Sequence, residues 1–446
     1  MQGGARHRQL LLLATALCAV NYARFAAQSM QEALAQDLRL DDNQVALLLG
    51  TTIGLPMALG SALLTSVVDR VRPRTLFTTL LAVCLMVNLF TVFAASFALI
   101  FAARLVLGTA VAVIYVAVFT KMPDLYAASE RGRATMVTTI GEIAGPPVAF
   151  ALGGTLLALA SRAPAMHSLA PWRLASAWMC LPLGAAVPAM LAIRNELPSV
   201  VRAEDRPLKD ALRALWPYRW IAVPLLLSRM MVWIADGAVL VWAAPALSRN
   251  FKLTPDRIGD IMAMALLVSG VLGPVLGGAL ADICQKSGGP RRTLLALCIL
   301  TALGIPAAMF GIVPNVTAAA IGLTALLIVG FTGSVMAFAL TTIVIPAQLR
   351  SVYVGITFSA AAVVGFGGAP LAVSTVSGLL GGPSTIGIAL TLICVVTSVV
   401  GAGFFALSRR LFLASGLGRP VTLSGVFRSS RPGTLAARRS GKIYPR

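Results

Sequence analysis

Five charged side chains interrupt the apolar runs of this 446-residue chain: Arg24, Arg104, Glu142, Arg229 and Asp236. A charge at mid-membrane costs at least about 2.5–3.5 kcal/mol on insertion scales, so each must meet a partner, a ligand or a wet cavity. The chemistry open to them is binding and proton carriage. Arg24 has no acidic neighbour along its own segment, so a carboxylate or phosphate of a ligand can satisfy it. The alternative is an interhelical hydrogen-bond cluster with Asn21 or a backbone carbonyl. Glu142 can carry a proton, or can pair with an arginine and stay charged. Arg229, Trp233 and Asp236, spaced by four and three, share one helical face. Arg229 and Asp236 stand about 10 Å apart along the axis, too far for a direct pair. Asp236 therefore serves a cavity, meets a cation of another helix, or marks a helix end. Arg104, near the start of its run, can instead snorkel to the surface.

Catalysis finds little to work with. The chain has two histidines, His7 and His167, both outside the apolar runs, and six cysteines with no metal or redox spacing. No enzyme, cofactor or metal site is expected. There is also no GxxxxGK[ST] loop for ATP.

These groups are held by very apolar elements. Apolar residues make up 58% of the chain and charged residues 12%, against roughly 25% charged in soluble domains. Runs of about 20 apolar residues, enough to span a hydrocarbon core about 30 Å thick, recur near 9–30, 44–67, 75–95, 98–120, 134–160 and 172–193. They recur again near 220–247, 258–283, 293–313, 316–343, 351–378 and 384–407. We number them crossings 1 to 12. A strand barrel would instead show short alternating segments. The opening residues, basic and then leucine-rich, also fit a cleaved signal peptide. Its removal would leave eleven crossings and break the repeat described next, so a membrane crossing is expected there.

Six crossings lie on each side of the polar stretch 194–219. The expected organisation is a six-helix bundle over 1–193, a cytoplasmic linker over 194–219, a second bundle over 220–407 and a basic, disordered cytoplasmic tail over 408–446. Residues 40–69 align without a gap on 253–282, with Leu40 on Leu253 and Asp69 on Asp282. Gly141, Gly145 and Pro146 match Gly365, Ala369 and Pro370. Duplicated bundles suit a carrier whose halves rock about a site between them. The net charge of +20 follows the same frame: with the N-terminus inside, 27 of the 36 basic residues fall on cytoplasmic segments and six on outer loops. That is the inside-positive bias of a multi-pass protein in a cell (inner) membrane with both termini cytoplasmic. Nucleic acid has little left to explain, and the tail has a weak attraction to anionic lipid.

Asp69, Arg70, Arg72 and Arg74 between crossings 2 and 3, and Gly278 to Asp282 followed by Arg291 and Arg292 between crossings 8 and 9, resemble the GxLaDrxGRR signature of the major facilitator superfamily. Arg104 with Gly108, Glu130 to Ala134, and Trp172-Arg173 are similar to further motifs of that family, in the right order on the right loops. The resemblance implies twelve helices, alternating access, a small-molecule substrate, and a gating latch on the cytoplasmic face formed by the two signature loops. Thr65, Arg72 and Pro73 depart from the signature, so the first latch is expected to be looser than the one at Asp282. The same resemblance makes crossings 1, 4, 7 and 10 line the cavity, with Asn21, Arg24, Gln28, Arg229, Trp233 and Asp236 as substrate-binding candidates. Asp236, Glu142 and Arg104 are the proton-coupling candidates.

A narrower resemblance is to spinster-like carriers, which carry NYxDR in helix 1 and GxGEA in helix 4. Here Ala23 and Val111 replace both acids, so no coupling mechanism carries over. The GxxxGP of crossing 5, Gly141 to Pro146, is shared with antiporters of the superfamily and also serves close helix packing. The expectation is a monomeric secondary carrier of an organic anion, amphiphile or drug-like metabolite, with the lipid bilayer as partner and protons as the candidate coupling ion. An uncoupled facilitator and a non-transporting sensor are the alternatives.

Overall fold

The computed structural model describes residues 3–59, 68, 71–126, 130–162, 169–195 and 213–414, in helices joined by short turns and with no strand among them. Among the described residues ten helices are long and apolar enough to cross a membrane: Arg6–Leu38, Pro73–Phe93, Phe97–Met122, Ala134–Arg162, Pro171–Ala192, Arg213–Phe251, Pro255–Gly311, Val316–Val344, Val352–Leu380 and Pro383–Ala414. At 1.5 Å per residue a straight helix as long as Pro255–Gly311 would measure about 85 Å, far more than one bilayer core. It is broken at Gly288 and Gly289, where Gly289 takes φ 64° and ψ −154°. Glycine alone adopts that backbone readily, and crossings 8 and 9 flank it. Crossing 2 starts at Asp42, behind a capping box in which the Asp41 carboxylate accepts from Gln44 N at 2.7 Å. It is described through residue 59. The architecture is all-α and polytopic, with twelve crossings.

Crossing 1 runs past its expected ends. Its helix begins at Gly3, so His7 lies inside it, and it continues through a 3-10 turn at Gln28–Met30 into Gln31–Leu38. The polar residues of that second part hid the continuation from a hydropathy reading. The helix stops where Arg39 turns left-handed at φ 52°.

The internal repeat reappears as packing. Crossing 5 presses its glycines onto crossing 1: a Cβ on Gly141 would strike the Ala14 carbonyl, and one on Gly145 would lie 2.6 Å from Cys18 O. In the second half crossing 11 lies on crossing 7 in the same manner, a Cβ on Gly365 falling 2.8 Å from Trp233 O. Both GxxxGP glycines thus lie against the backbone of crossing 1.

The two halves meet along crossings 2 and 11 and along crossings 5 and 8. Facing π-helical turns, Leu47–Thr51 and Ala362–Gly368, mark the first contact. There a Cβ on Gly50 would sit 2.5 Å from Phe366 O, and Ser374 donates to Asn43 Oδ1 at 2.7 Å. At the second, a Cβ on Gly259 would lie 2.6 Å from Phe150 O. A clamp closes the end of the molecule opposite the arginine-rich turns. Arg249, at the end of crossing 7, donates to Asp42 through Nη1 and Nη2 at 2.8 Å each. It also donates to Glu32 at 2.9 and 3.3 Å and to Pro383 O at 3.1 Å. Both carboxylates belong to the first half.

The other end carries the two signature loops. Asp69 and Arg70 lie outside the described residues, as do 196–212 of the linker and 415–446 of the tail. Arg74 Nε donates to Ile193 O at 3.0 Å, within its own half. Asp282, Arg291 and Arg292 are exposed, and Asp282 has no ion pair among the described residues. A Cβ on Gly278 would meet nothing within 4 Å.

Candidate functional site

Crossing 1 brings Asn21 and Arg24 to the centre of the molecule, and crossings 4 and 5 supply the groups that surround them. Asn21 is held by its amide, which donates to Leu17 O one turn back at 2.9 Å. It lies 2.9 Å from Tyr115 Oη through Nδ2, and Tyr115 Oη lies 3.0 Å from Glu142 Oε1. A phenol has a single hydrogen. The arrangement that satisfies all three groups has Asn21 donating to Tyr115 and Tyr115 donating to the Glu142 carboxylate. Glu142 thus answers to a phenol, with no ion pair to an arginine among the described residues.

Arg24 is 6% exposed, and its Nε has no hydrogen-bond partner. Its guanidinium lies 4.6 Å from the ring centre of Phe366, which belongs to crossing 11 in the other half, and 5.0 Å from that of Phe25. No carboxylate among the described residues comes within ion-pair distance. Aromatic faces attract a cation, but they leave the N–H groups of a guanidinium without acceptors.

Arg104 does not snorkel. It is 1% exposed, its Nη2 donates to the backbone carbonyl of Arg24 at 3.0 Å, and its Nε is unpartnered. The carbonyl of crossing 1 draws it inward, so the centre holds two guanidinium groups and one acid. Gln28 and Gln31 follow on the same helix, 1% and 3% exposed, with Gln28 Oε1 and both polar atoms of Gln31 unpartnered.

The second half contributes an aromatic wall. Trp233 stands edge-on to Phe358, ring centres 5.4 Å apart, and 5.9 Å from Phe366. Phe366 therefore touches both Arg24 and Trp233, and it joins the two halves of the site. Arg229 turns away to crossing 10, where Nη1 donates to Ser334 O at 3.3 Å.

Asp236 is not part of this centre. Its carboxylate faces crossings 9, 10 and 12 within the second bundle, in a small cavity with Thr301, Gly330, Thr397 and Ser398. The side chain of Asp236 occupies the space that a Cβ on Gly330 would need. The shared face of Arg229, Trp233 and Asp236 fans out onto three different neighbours. Sequence reasoning missed Tyr115, Phe358 and Phe366. Tyr115 offered a signal, a polar ring one turn beyond Val111 in a cavity-lining crossing. The two phenylalanines offered none, since their importance depends on which helix lies opposite.

Comparison with known proteins follows the same lines. The model of the Major Facilitator Superfamily matches residues 11–242. A crystal structure of a bacterial homolog to the human lysosomal transporter Spinster, inward-facing and unoccupied, superimposes with a TM-score of 0.73 at 18% identity, covering 93% of this chain and 99% of that one. The same kind of homolog in an inward-facing and occupied conformation gives 0.70 at 17% identity, covering 94% and 98%. Among curated proteins no match is found. The superfamily match spans more than half of the sequence, the duplicated twelve-crossing fold accounts for the rest, and the chain belongs to the Major Facilitator Superfamily, a family of membrane transporters working by alternating access.

Proposed function

We propose that this protein is a secondary carrier of an organic anion with an apolar body, resident in a cell (inner) membrane with both termini in the cytoplasm. The observation that carries the reading is Arg24: buried, without an anionic partner among the described residues, and stacked on Phe366 of the opposite half. A carboxylate or phosphate of the substrate satisfies the guanidinium bidentately. The aromatic wall of Trp233, Phe358 and Phe366 takes the apolar body. Gln28 supplies a further hydrogen-bonding group toward the clamped end.

Because Phe366 belongs to one half and Arg24 to the other, occupancy of the site is felt by the contact between halves. The Arg249 clamp closes one end, which is the outer one in the orientation that the inside-positive bias favours. The exposed Asp282 fits an inward-open arrangement, in which the cytoplasmic latch is disengaged. Alternating access then requires the clamp to open as the latch forms. Glu142 is the proton carrier of this scheme. Protonation breaks its role as a charged acceptor for Tyr115 and changes the field at Arg24, so proton and anion are linked at one cluster. Arg104 positions crossing 1 through the Arg24 carbonyl and does not carry the proton itself.

Reconstitution into proteoliposomes tests the scheme. Counterflow of an amphiphilic carboxylate is expected, together with uptake or efflux driven by an imposed pH gradient that Glu142→Gln abolishes. Flux indifferent to the gradient would make the protein a facilitator. Binding without exchange would make it a sensor.

A further inference from the structure

The cavity around Asp236 lies inside the second bundle, away from Arg24, and the carrier scheme makes no use of it. It has a volume of about 20 Å³ and is lined by Met231, Val232, Ala235, Asp236, Thr301, Leu326, Val329, Gly330, Thr397 and Ser398. That is room for a guest the size of one water molecule. Its polar groups are unusual for this bundle. Serine and threonine in membrane helices are ordinarily satisfied by the carbonyl one turn back, as Thr324, Thr341, Thr357 and Thr397 are here. Thr301 and Ser398 are each only 6% exposed and make no such bond, nor any other among the described residues. Asp236 has no hydrogen bond and no ion pair among the described residues either. Asp236, Thr301 and Ser398 line one cavity, and no hydrogen bond joins them to one another.

We propose that this cavity is a sodium-ion site, with the Asp236 carboxylate and the hydroxyl oxygens of Thr301 and Ser398 as ligands. Hard cations select carboxylate and hydroxyl oxygen over nitrogen and sulfur. One carboxylate balances one monovalent charge, whereas a divalent ion would leave a net charge inside the hydrocarbon, at the cost any intramembrane charge carries. The cavity has room for a water-sized ion held by its lining oxygens. Gly330 makes the site possible, since any Cβ there would displace the carboxylate. The site touches crossings 7, 9, 10 and 12, so ion binding ties together helices of one bundle and stiffens it as a unit.

Binding of radioactive sodium (²²Na⁺) to the purified full-length protein in nanodiscs tests this without any transport measurement. The expected result is saturable binding at one site per chain, competed by Na⁺ and unaffected by choline at equal ionic strength. Asp236→Asn is expected to weaken it by about tenfold or more, and the near-isosteric Thr301→Val and Ser398→Ala by several-fold each, so that a misfolded aspartate variant would not remove the test. Glu142→Gln should leave it intact. Absence of sodium binding in folded wild-type protein, or binding that survives Asp236→Asn and is lost in Glu142→Gln, would overturn the proposal. So would a cavity that responds to protons and not to sodium, seen as thermal stability that depends on pH through Asp236 but is unchanged by replacing choline with Na⁺.

Discussion

The central charge of Arg24 meets no carboxylate at ion-pair distance among the described residues. Its guanidinium rests on Phe366 and Phe25, contacts worth roughly 0.5–2 kcal/mol in cation–π terms, which is less than the penalty for a charge at this depth. In the proposed scheme a ligand anion removes that deficit. Arg24→Lys keeps the charge but loses both the planar stack and the bidentate fork. Substrate affinity measured by competition should therefore fall for lysine, and fall further for alanine. Equal affinities in the two variants would mean that charge alone is used. Tyr115 sits between Asn21 and Glu142 at 2.9 and 3.0 Å. Tyr115→Phe leaves both groups without that partner, a loss of about 1–3 kcal/mol for each buried polar group stranded. Thermal unfolding should register it as a lower Tm, and proton-driven flux should drop as well. A Tm and a flux equal to wild type would show that the phenol does nothing.

Helices in this protein approach as closely as glycine allows, and the glycines of one kind of sequence motif do not all do the same work. A Cβ on Gly141 collides with the backbone of crossing 1, whereas one on Gly278 meets open space. Gly141→Ala is thus expected to impair folded yield and stability. Gly278→Ala should be neutral or slightly stabilising, since alanine is favoured over glycine in a helix by about 1 kcal/mol. Size-exclusion yield and thermal unfolding distinguish the two, and equal damage from both would contradict the packing described. Much of this level was legible in the sequence: twelve crossings follow from run length, and the match of Gly141 to Gly365 pairs crossing 5 with crossing 11, although the helices they pack against came only with the structure. What was not legible depends on who lies opposite. Hydropathy places Arg104 near a helix end, where an arginine can reach outward; only the nearness of the Arg24 carbonyl turns it inward. Spacing puts Asp236 on one face with Trp233, yet a helical face is wide enough to meet three neighbours. The π turns at Leu47–Thr51 and Ala362–Gly368 leave no mark in composition, because they arise where two helices press together.

At the scale of the whole molecule, one side chain carries the ion pairs that join the halves at the closed end among the described residues. Arg249 gathers Glu32 and Asp42 from the first half and Pro383 O from its own. Half-buried charges in a network hold more than an exposed pair does. Arg249→Ala removes the positive centre and leaves two acids facing each other, which favours separation of the halves at that end. Spin labels at Gln36 and Lys252, both exposed, in a background without other reactive cysteines, should show a larger long-distance population in the variant. A shift of about 1.4 kcal/mol would change the ratio of the two populations about tenfold. An unchanged distance distribution would mean that packing of crossings 2 and 11 keeps the end closed without the clamp. The central claim, that the two halves close around an organic anion held by Arg24, is tested most directly by one paired measurement. The affinity of the purified protein for an amphiphilic carboxylate is compared with that for its neutral amide, in wild type and in Arg24→Ala. The account predicts that wild type prefers the carboxylate and that the preference disappears in Arg24→Ala. Equal binding of the two compounds by wild type, with Arg24→Ala unaffected, would contradict it.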